Sequence, residues 1–240
     1  MNKISIIIPV LNESKTIITL LEYLTIHLNP KFISELIVVD GGSNDDSPKI
    51  ISDFFNKISN GNNIYQLIES SKGRAKQMNL GATFATGDIL YFLHADSFPP
   101  QQFDQLIVNK INKGHKAGCF RMKFDSNHFW LQLAGWFTKF PWRICRGGDQ
   151  SLFITKLLFD EIGGYDENYK IYEDNILINE LYKRNQFVVI NKVITTSSRL
   201  YKKNGVWKLQ FHFWTIYLKK WFGASAEELY IYYKKHITSS

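Results

Sequence analysis

The sequence has little cysteine and no long apolar run. Cys119 and Cys145 are the only two cysteines among 240 residues, too few for a disulfide framework and without the spacing of a metal site. No apolar run approaches the roughly 18 residues needed to span a bilayer. The first residues, MNKISIIIPV, lack the cleavage-site pattern of a signal peptide. These absences predict a protein of a reducing compartment, either cytoplasmic or held peripherally on the inner face of a membrane.

Two common phosphate-binding motifs are also absent. A G-x-G-x-x-G fingerprint should follow the first strand, where the sequence has PVLNES, and no G-x-x-x-x-G-K-[ST] segment occurs. A Rossmann dinucleotide site and a P-loop are therefore excluded. Instead, Lys72, Gly73 and Arg74 stand at a predicted helix start, where backbone N–H groups and positive charge suit a diphosphate or a base. A solvated helix start is the alternative.

Acidic residues are scarce toward the C-terminus. Residues 181–240 hold eleven Lys or Arg and two Glu, whereas the whole chain has a net charge of +7. This asymmetry indicates either a solvated basic surface or an anionic partner: a nucleotide diphosphate, a lipid headgroup or a nucleic acid. No RNP-like aromatic motif or helix-turn-helix spacing occurs, so we expect no nucleic-acid partner.

Buried-strand patterns alternate with helical ones, which predicts an α/β fold with a mostly parallel sheet. The first half has predicted strands at residues 4–10, 36–40, 64–68 and 89–96, with helices at 16–28, 73–85 and from Ser47. The second half has predicted helices at 102–112 and 173–184, a short helix capped by Thr155, and strands at 119–124, 187–190 and 193–196. A capping box at Ser225 predicts a final helix. With no linker or repeat, one domain is the simplest account.

Three carboxylates end or follow predicted strands: Glu13, Asp40 and Asp96. Asp96 closes the run ILYFLHAD, in which an apolar strand stops at a histidine and a carboxylate. Aspartate is a common turn former, so one such residue would carry little weight. Three of them at the carboxyl ends of successive strands predict a ligand or metal site at that edge of the sheet.

Four segments in order resemble the motifs of family 2 glycosyltransferases with the GT-A fold, and the resemblance covers nearly the whole chain. The strand-Pro-x-x-Asn-Glu signature matches residues 6–13, and VVDGGSxD matches 38–45. The segment GRAKQMNLG at 73–81 is similar to GxxxARNxG, and GDxLxFLxAD matches 87–96. The combination of GRAKQMN, FLHAD and GGDQ also resembles a short subgroup associated with arsenosugar-type biosynthesis.

The resemblance implies a nucleotide-diphospho-sugar transferase fold in one domain over residues 1–240. Its parts are a nucleotide-binding half (1–100), an acceptor and catalytic half (101–204) and an aromatic, basic helical tail (205–240). It assigns a group of residues to the nucleotide-sugar: Pro9, Asn12, Glu13, Asp40, Gly41, Ser43, Gly73, Arg74, His94 and Ala95. Asp40 accepts from the base, most simply uracil N3–H.

Asp96 is the residue that the resemblance assigns to a divalent metal. His94-Ala95-Asp96 occupies the family's Asp-x-Asp position, and His94 replaces the first Asp. With one certain oxygen ligand, the metal takes most of its ligands from diphosphate and water, which suits Mg²⁺ or Mn²⁺.

The same resemblance places the catalytic base at Asp174, beside Glu173. These two carboxylates could instead complement the N-terminus of their helix. Asp149 and Gln150, in GGDQ, are candidates for the donor sugar or the acceptor hydroxyls. From charge placement, Arg199, Lys202 and Lys203 form a hypothetical lid over the diphosphate, next to the helix-breaking Asn204-Gly205.

The predicted function is metal-assisted, inverting transfer of a sugar from a nucleotide-diphospho-sugar, UDP-linked by preference, to the hydroxyl of a small or lipid-linked acceptor in glycan biosynthesis. Two alternatives stay open: transfer to a polyprenyl phosphate at a membrane, and sugar-nucleotide binding without catalysis. Residues 206–222, VWKLQFHFWTIYLKKWF, are either buried against the domain or lie in a membrane interface.

Overall fold

The computed structural model describes residues 2–59 and 64–238, in which eight strands form a single mixed sheet. The predicted domain limits at residues 1 and 240 lie outside the described residues. The strands are β1 (Ile4–Val10), β2 (Ile33–Asp40), β3 (Tyr65–Glu69), β4 (Ile89–Phe92), β5 (Ser97–Phe98), β6 (Ala117–Phe124), β7 (Leu152–Thr155) and β8 (Phe187–Thr196).

The strand order across the sheet is β3-β2-β1-β4-β7-β6-β8-β5. The first four are parallel, as expected where helices connect successive strands. β7 runs antiparallel to both β4 and β6, β8 is parallel to β6, and β5 is antiparallel to β8. The predicted α/β class is confirmed. The parallel character belongs mainly to the half of the sheet built from the first hundred residues.

Ten α-helices flank the sheet or follow it in the described part of the chain. They are α1 (Ile17–His27), α2 (Ser47–Ile58), α3 (Arg74–Phe84), α4 (Phe103–Asn112), α5 (Phe129–Phe137), α6 (Lys156–Ile162), α7 (Glu173–Lys183), α8 (Arg199–Asn204), α9 (Val206–Trp221) and α10 (Ala226–Tyr233). Pro48 lies in the first turn of α2, and Thr155 and Ser225 accept the expected capping hydrogen bonds. None of these helices has the length and apolarity required to cross a bilayer.

The sheet separates two apolar cores because alternate strand residues face opposite sides. Ile6 and Ile8 of β1 pack into the core that contains α1, α2 and α4, whereas Ile7 packs toward α3, α6 and α7. A third, smaller cluster joins Leu209 and Ile216 of α9 to α10. The helical tail therefore has a core of its own.

Several predicted strands differ from the structure in their bounds, by one to three residues in β2, β3 and β6 and by more in β4 and β8. The 89–96 strand ends at Phe92, and residues 93–96 form a turn in which the Ser97 N–H donates to the His94 carbonyl at 3.1 Å. The separate strands predicted at 187–190 and 193–196 form one strand, β8. Its register against β6 shifts between Phe120 and Arg121 and leaves two residues, Asn191 and Lys192, as a bulge.

Candidate active site

The loops after β1 and β2 are tied together at the carboxyl edge of the sheet. The Asn12 N–H donates to the Ser43 hydroxyl at 2.8 Å, and the Asn12 side-chain carbonyl accepts from the Asn44 N–H at 2.8 Å. The Glu13 N–H donates to the Ser47 hydroxyl at 2.8 Å. Asn12 adopts a left-handed backbone, with φ of 56°, a conformation that asparagine tolerates better than most residues. These contacts bring the predicted nucleotide-binding residues of both loops to one place.

Asp40 holds the turn that follows β2. Its carboxylate accepts from the Gly42 and Ser43 N–H groups at 2.9 Å each and from the Ser43 hydroxyl at 2.5 Å. The side chain is almost fully buried. Contact with a base stays a prediction, because the structure shows these oxygens already engaged in forming the turn.

Gln77 joins the ends of β1 and β2, a role that sequence reasoning missed. Its side-chain amide donates to the Val10 and Val39 carbonyls at 2.8 Å each. Gly41 packs directly on this amide, since a Cβ atom on the glycine would lie 2.8 Å from the Gln77 Cδ. A polar residue between Ala75 and Met78, on the buried side of a predicted helix, is the signal that could have revealed it.

Arg199 from the start of α8 reaches back to the first loop. Its guanidinium donates to both Glu13 carboxylate oxygens, at 2.8 and 2.7 Å, and lies 3.6 Å from Asp96 Oδ2. The pKa of Asp96 is raised to about 6: burial is the main cause, the negative charges of Asp149 and Glu13 add to it, and Arg199 opposes it. The two predicted diphosphate-side residues, Asp96 and Arg199, are therefore adjacent.

Lys202 does not join Arg199 at this site. Its ammonium lies 3.6 Å from the Asp125 carboxylate, and Lys203 is exposed. Asp96 and Asp125 both line a cavity of about 210 Å³ beside the turn that follows β4. Of the three predicted lid cations, only Arg199 faces the carboxylates at the sheet edge.

His94 is neutral at physiological pH. Its pKa is lowered to about 3, mainly by burial and in addition by the positive charge of Arg74. Its Nδ1 lies 3.9 Å from the Asp149 Oδ1 atom. A neutral imidazole beside a carboxylate makes a polar contact rather than an ion pair, so His94 adds no charge to the site.

Arg74 binds the two carboxylates that begin α7. Its Nε lies 3.1 Å from Glu173 Oε1, and its Nη1 lies 3.6 Å from Asp174 Oδ2. Glu173 first, and then Asp174, raise the pKa of Arg74. The structure thus places Arg74, predicted to contact the base or the phosphates, against the predicted catalytic pair.

Asp174 is nearly buried, and its pKa is raised to about 7. Burial is the main cause, and the negative charge of Glu173 adds to it; Arg74 opposes both, and Asp149 contributes a further increase. Asp149 also raises the pKa of Asp96. Asp149 is therefore close enough to both Asp96 and Asp174 to influence their ionisation.

The GGDQ segment packs against Asp174 through a glycine. Residues Gly148–Gln150 form a 3-10 turn, and the Gly148 backbone approaches the Asp174 carboxylate closely. This turn leaves the Asp149 side chain exposed next to His94. The two predicted acidic groups, from distant parts of the sequence, are brought to one cleft.

Gln150 is not brought into this cleft. Its amide donates to the Cys145 carbonyl at 2.7 Å, and its carbonyl accepts from the buried guanidinium of Arg146. Arg146 also donates to the Thr138 and Phe140 carbonyls. Gln150 and Arg146 therefore organise residues 138–150, and the sequence had no pattern that predicted this buried arginine.

A further unpredicted residue, Asn79, positions the loop before α7. Its side chain donates to the Tyr165 carbonyl and accepts from the Tyr165 N–H, both at 2.9 Å. It also donates to Glu167 at 3.0 Å. The GRAKQMN segment thus supports the predicted catalytic pair twice, through Arg74 and through Asn79.

A divalent cation would have few protein ligands here. In residues 2–59 and 64–238, no three His, Cys, Asp or Glu side chains converge as a metal site. Asp96 offers a carboxylate that is one-quarter exposed and surrounded by other acids, with Arg199 as its nearest cation. This donor set fits a hard cation that takes its remaining oxygens from diphosphate and water.

Comparison with known proteins identifies the chain. The family model for glycosyl transferase family 2 matches residues 5–177, well over half of the sequence. The chain belongs to glycosyl transferase family 2. The matched part of this family member contains Glu13, Asp40, Asp96 and the Glu173-Asp174 pair, and it ends before α8, α9 and α10.

Curated relatives share part of this length. A Haloferax volcanii protein, glycosyltransferase AglE, is 36% identical over 110 residues, 45% of this chain and 35% of its own. The Proteus mirabilis undecaprenyl-phosphate 4-deoxy-4-formamido-L-arabinose transferase is 27% identical over 79% of this chain and 55% of its own. The chain thus spans about one third to one half of the length of these two relatives.

Solved structures show the GT-A fold and confirm that prediction. S. aureus TarS 1-349 in complex with UDP superposes with a TM-score of 0.65 and 20% identity, over 81% of this chain and 60% of that one. The Pyrobaculum calidifontis mannosyltransferase PcManGT, in complex with GDP-Man and Mn²⁺, gives 0.64 and 18%, over 90% and 60%. At these identities the likeness establishes the fold and leaves the donor open.

Proposed function

We propose that this glycosyltransferase moves a sugar, with inversion, from a nucleotide-diphospho-sugar to an acceptor hydroxyl, with Asp174 as the general base. The observation that carries the proposal is the state of Asp174. It is a buried carboxylate with a pKa of about 7, held beside Arg74 in the cleft that also contains Asp149. A base with a pKa near the working pH is the most effective.

The transfer takes place in one displacement. The acceptor oxygen forms a bond to the anomeric carbon on the face opposite the diphosphate, while the bond from that carbon to the diphosphate oxygen breaks. The acceptor proton passes to an Asp174 carboxylate oxygen, and the bonding electrons leave with the nucleoside diphosphate. Arg74 favours the ionised form of Asp174, because it opposes the rise in pKa that burial and Glu173 cause.

The departing diphosphate gains negative charge that the site must stabilise. Arg199 is the nearest guanidinium to Asp96, and its contact with Glu13 can be exchanged for one with phosphate oxygens. Mg²⁺ or Mn²⁺ at Asp96 would supply further electrostatic stabilisation of the leaving group. Asp149 is free to accept from donor-sugar hydroxyls, since its side chain is exposed in the cleft.

UDP is the proposed nucleotide, in keeping with the expected pairing of Asp40 with uracil N3–H. The TarS structure contains UDP, whereas PcManGT contains GDP-Man, so the same fold accommodates either base. Thermal shifts measured with UDP-, GDP- and TDP-sugars, with and without Mn²⁺, distinguish the donors, because only a bound ligand raises the melting temperature. The largest shift is expected for a UDP-sugar with Mn²⁺.

Substitution Asp174→Asn tests the proposed role. It removes the base and keeps the shape, so kcat should fall by about 10²- to 10⁴-fold while the Kd for UDP stays within about threefold. Glu173→Gln is the matched variant, and its smaller expected loss reflects a role in holding Arg74. Loss of UDP binding in Asp174→Asn would show that this residue belongs to the nucleotide pocket instead.

A second candidate is transfer to a polyprenyl phosphate. The relative from Proteus mirabilis is an undecaprenyl-phosphate transferase, and another from Methanococcus voltae is named for a dolichyl phosphate substrate; that one is 26% identical over 77% of this chain and 68% of its own. A phosphate acceptor is already ionised and needs no base. Full activity of Asp174→Asn on a polyprenyl phosphate would therefore favour this candidate.

Sugar-nucleotide binding without catalysis is the third possibility, raised by His94 in place of an aspartate. A hydrolysis and transfer assay with UDP-sugars and Mn²⁺ separates it from an enzyme. Release of UDP that requires Asp174 would exclude a binding-only protein.

A further inference from the structure

All six tryptophans of the chain lie in two segments, residues 126–147 and 199–222. The first contains α5 and the loop to Gly147, and the second contains α8 and α9. Five of the six indole side chains are exposed, and Trp130 is half-buried. Together the two segments are called the tryptophan surface below. Tryptophan is uncommon on protein surfaces unless it serves in binding.

One face of α9 is an exposed apolar stripe. Its residues follow a spacing of four, three, four and three, which keeps them on one side of a helix. They are between 46% and 81% exposed: Trp207, Phe211, Trp214, Leu218 and Trp221. The opposite face buries Leu209 and Ile216 against α10. The helix thus has a packed side of its own, and the stripe is not required for the core.

The stripe continues onto α5 through contacts between indoles. The Trp130 ring lies 5.4 Å from that of Trp207 and 5.7 Å from that of Trp214, and its N–H donates to Gln210 at 3.0 Å. Beyond Trp130, α5 and the loop after it expose more large apolar side chains: Phe129, Trp136, Phe137, Trp142 and Ile144. The surface is therefore broader than a single helix face, and the prediction for 206–222 covered only part of it.

The positive charge of the tryptophan surface indicates what binds to it. The two segments contain nine Lys or Arg residues and no Asp or Glu. Arg146 is buried, and Arg143 and Arg199 bond to other residues, so the lysines give this surface its positive charge. The Lys139 ammonium lies 3.6 Å from the Trp136 ring centroid, so positive charge is placed directly on the aromatic surface. A second copy of the chain docked by this face would bring cations against cations. An anionic bilayer instead offers headgroups to the lysines and an interfacial region to the tryptophans.

We propose that the tryptophan surface docks the protein on an anionic lipid bilayer and holds the active-site cleft at the membrane. The surface adjoins the catalytic helix. The Tyr217 hydroxyl of α9 donates at 3.2 Å to the Asn175 side chain, which follows Asp174 directly. Resting on the proposed function, this places the Asp174 base where a lipid-linked acceptor can present its hydroxyl.

Tryptophan fluorescence reports this docking directly, because every indole belongs to the surface. The protein is titrated with vesicles of phosphatidylcholine containing 30% phosphatidylglycerol, and separately with phosphatidylcholine alone. Vesicles with dibrominated acyl chains are used to quench indoles that enter the interface. We expect sedimentation with the anionic vesicles, quenching by the brominated ones, and binding that weakens as salt is raised.

The test variant is Trp207→Ser combined with Trp221→Ser, at two exposed positions. It should fold normally and bind anionic vesicles at least about tenfold more weakly. Phe84→Ser, an exposed aromatic on α3 outside the surface, is the matched control and should bind as the wild type does. Lys208→Gln should weaken binding to anionic vesicles and leave any binding to neutral ones unchanged.

Three results would overturn the proposal: no sedimentation with anionic vesicles, equal binding by the double variant and the control, or a stable dimer in solution that the double variant dissociates. The last would assign the surface to a second copy. UDP binding, measured in the absence of vesicles, tests the proposed function separately. A protein that binds UDP but not vesicles loses only this inference, and one that binds vesicles but not UDP loses only the proposed function.

Discussion

Gly148 lies so close to Asp174 that a Cβ atom built on the glycine would be 2.0 Å from the Asp174 Oδ2 atom. Carbon and oxygen cannot approach to that distance without displacement of one of them. At the neighbouring Gly147, an added Cβ would meet only the Tyr217 hydroxyl, at 4.0 Å. A side chain therefore has room at Gly147 but not at Gly148.

Substitution Gly148→Ala is expected to displace the Asp174 carboxylate and to lower kcat by about 10²-fold or more, since general-base catalysis depends on position. Gly147→Ala is the matched control, and it should retain most of the activity because its methyl group enters open space. Steady-state transfer kinetics of both variants provide the measurement. If the two variants were equally active, the expectation that transfer depends on the position of the Asp174 carboxylate would be wrong.

Arg74→Met is expected to change the pH dependence of transfer. Arg74 lowers the pKa of Asp174, so its removal raises that pKa and leaves more of the base protonated at neutral pH. The acidic limb of the kcat profile should move to higher pH by about one unit, and activity should recover as the pH rises. In Arg74→Lys the acidic limb of the kcat profile should lie closer to its wild-type pH, because lysine keeps the positive charge.

The alternative role of Arg74 predicts a different profile. If the guanidinium served mainly to bind the base or phosphates, Arg74→Met would weaken UDP binding equally at every pH. The His94 imidazole contributes little to the difference, because burial, which Arg74→Met leaves in place, is the main cause of its lowered pKa.

Asp174→Asn is expected to stabilise the folded protein at alkaline pH. The pKa of Asp174 is raised in the folded state, so its stabilising effect is complete below the unfolded-state pKa of about 4 and is lost as the pH rises through about 7. At pH 8 the wild type carries an ionised, nearly buried carboxylate. The amide avoids that cost, and the free energy of unfolding should increase by about 1–3 kcal/mol.

Urea unfolding at pH 8 and pH 5 checks this expectation. The difference between variant and wild type should be largest at pH 8 and should diminish toward pH 5, where the wild-type carboxyl is protonated when folded. A variant that is less stable at pH 8 would show that the ionised carboxylate contributes to stability through its partners.

Arg199→Ala tests the contact between α8 and the first loop. Without the guanidinium, Glu13 and Asp96 lose their nearest cation, and the departing diphosphate loses the proposed positive charge. Affinity for UDP and turnover should both fall, by about tenfold each. Lys203→Ala is the control on the same helix, at an exposed position.

Calorimetric titration with UDP and Mn²⁺ measures the first effect, and transfer kinetics measure the second. The lid hypothesis would be abandoned if Arg199→Ala left both unchanged. A loss of affinity shared equally by Lys203→Ala would point to general electrostatic attraction by the basic C-terminal part.

Patterns along the sequence were enough to predict the α/β class and most elements. Alternating buried strands and helices dictate parallel pairing in the first half, because each crossover returns the chain in the same direction. That direction places the loops carrying Glu13, Asp40 and Asp96 at one edge of the sheet. The family motifs then supplied an interpretation for this edge, and the family match over residues 5–177 confirms the predicted family.

Only the tertiary structure decided which charges meet. Arg74 and Asp174 are separated by a large part of the chain, and Arg199 and Glu13 by 186 residues. No local periodicity encodes such pairs, because they depend on how loops from opposite halves pack over the sheet. The buried Arg146, which removes Gln150 from the cleft, is hidden from sequence reasoning for the same reason.

The helical tail shows most clearly what the sequence determines and what only the tertiary structure decides. By composition alone, residues 206–222 fit both a buried helix and an interfacial one. The structure shows that α9 has one buried face and one exposed face, and that Trp130 extends the exposed face onto α5. The sequence determined that the helix would carry aromatic residues on almost every side, with lysines at its ends. Only the packing of α10 on one side decided which aromatic side chains stay in contact with solvent.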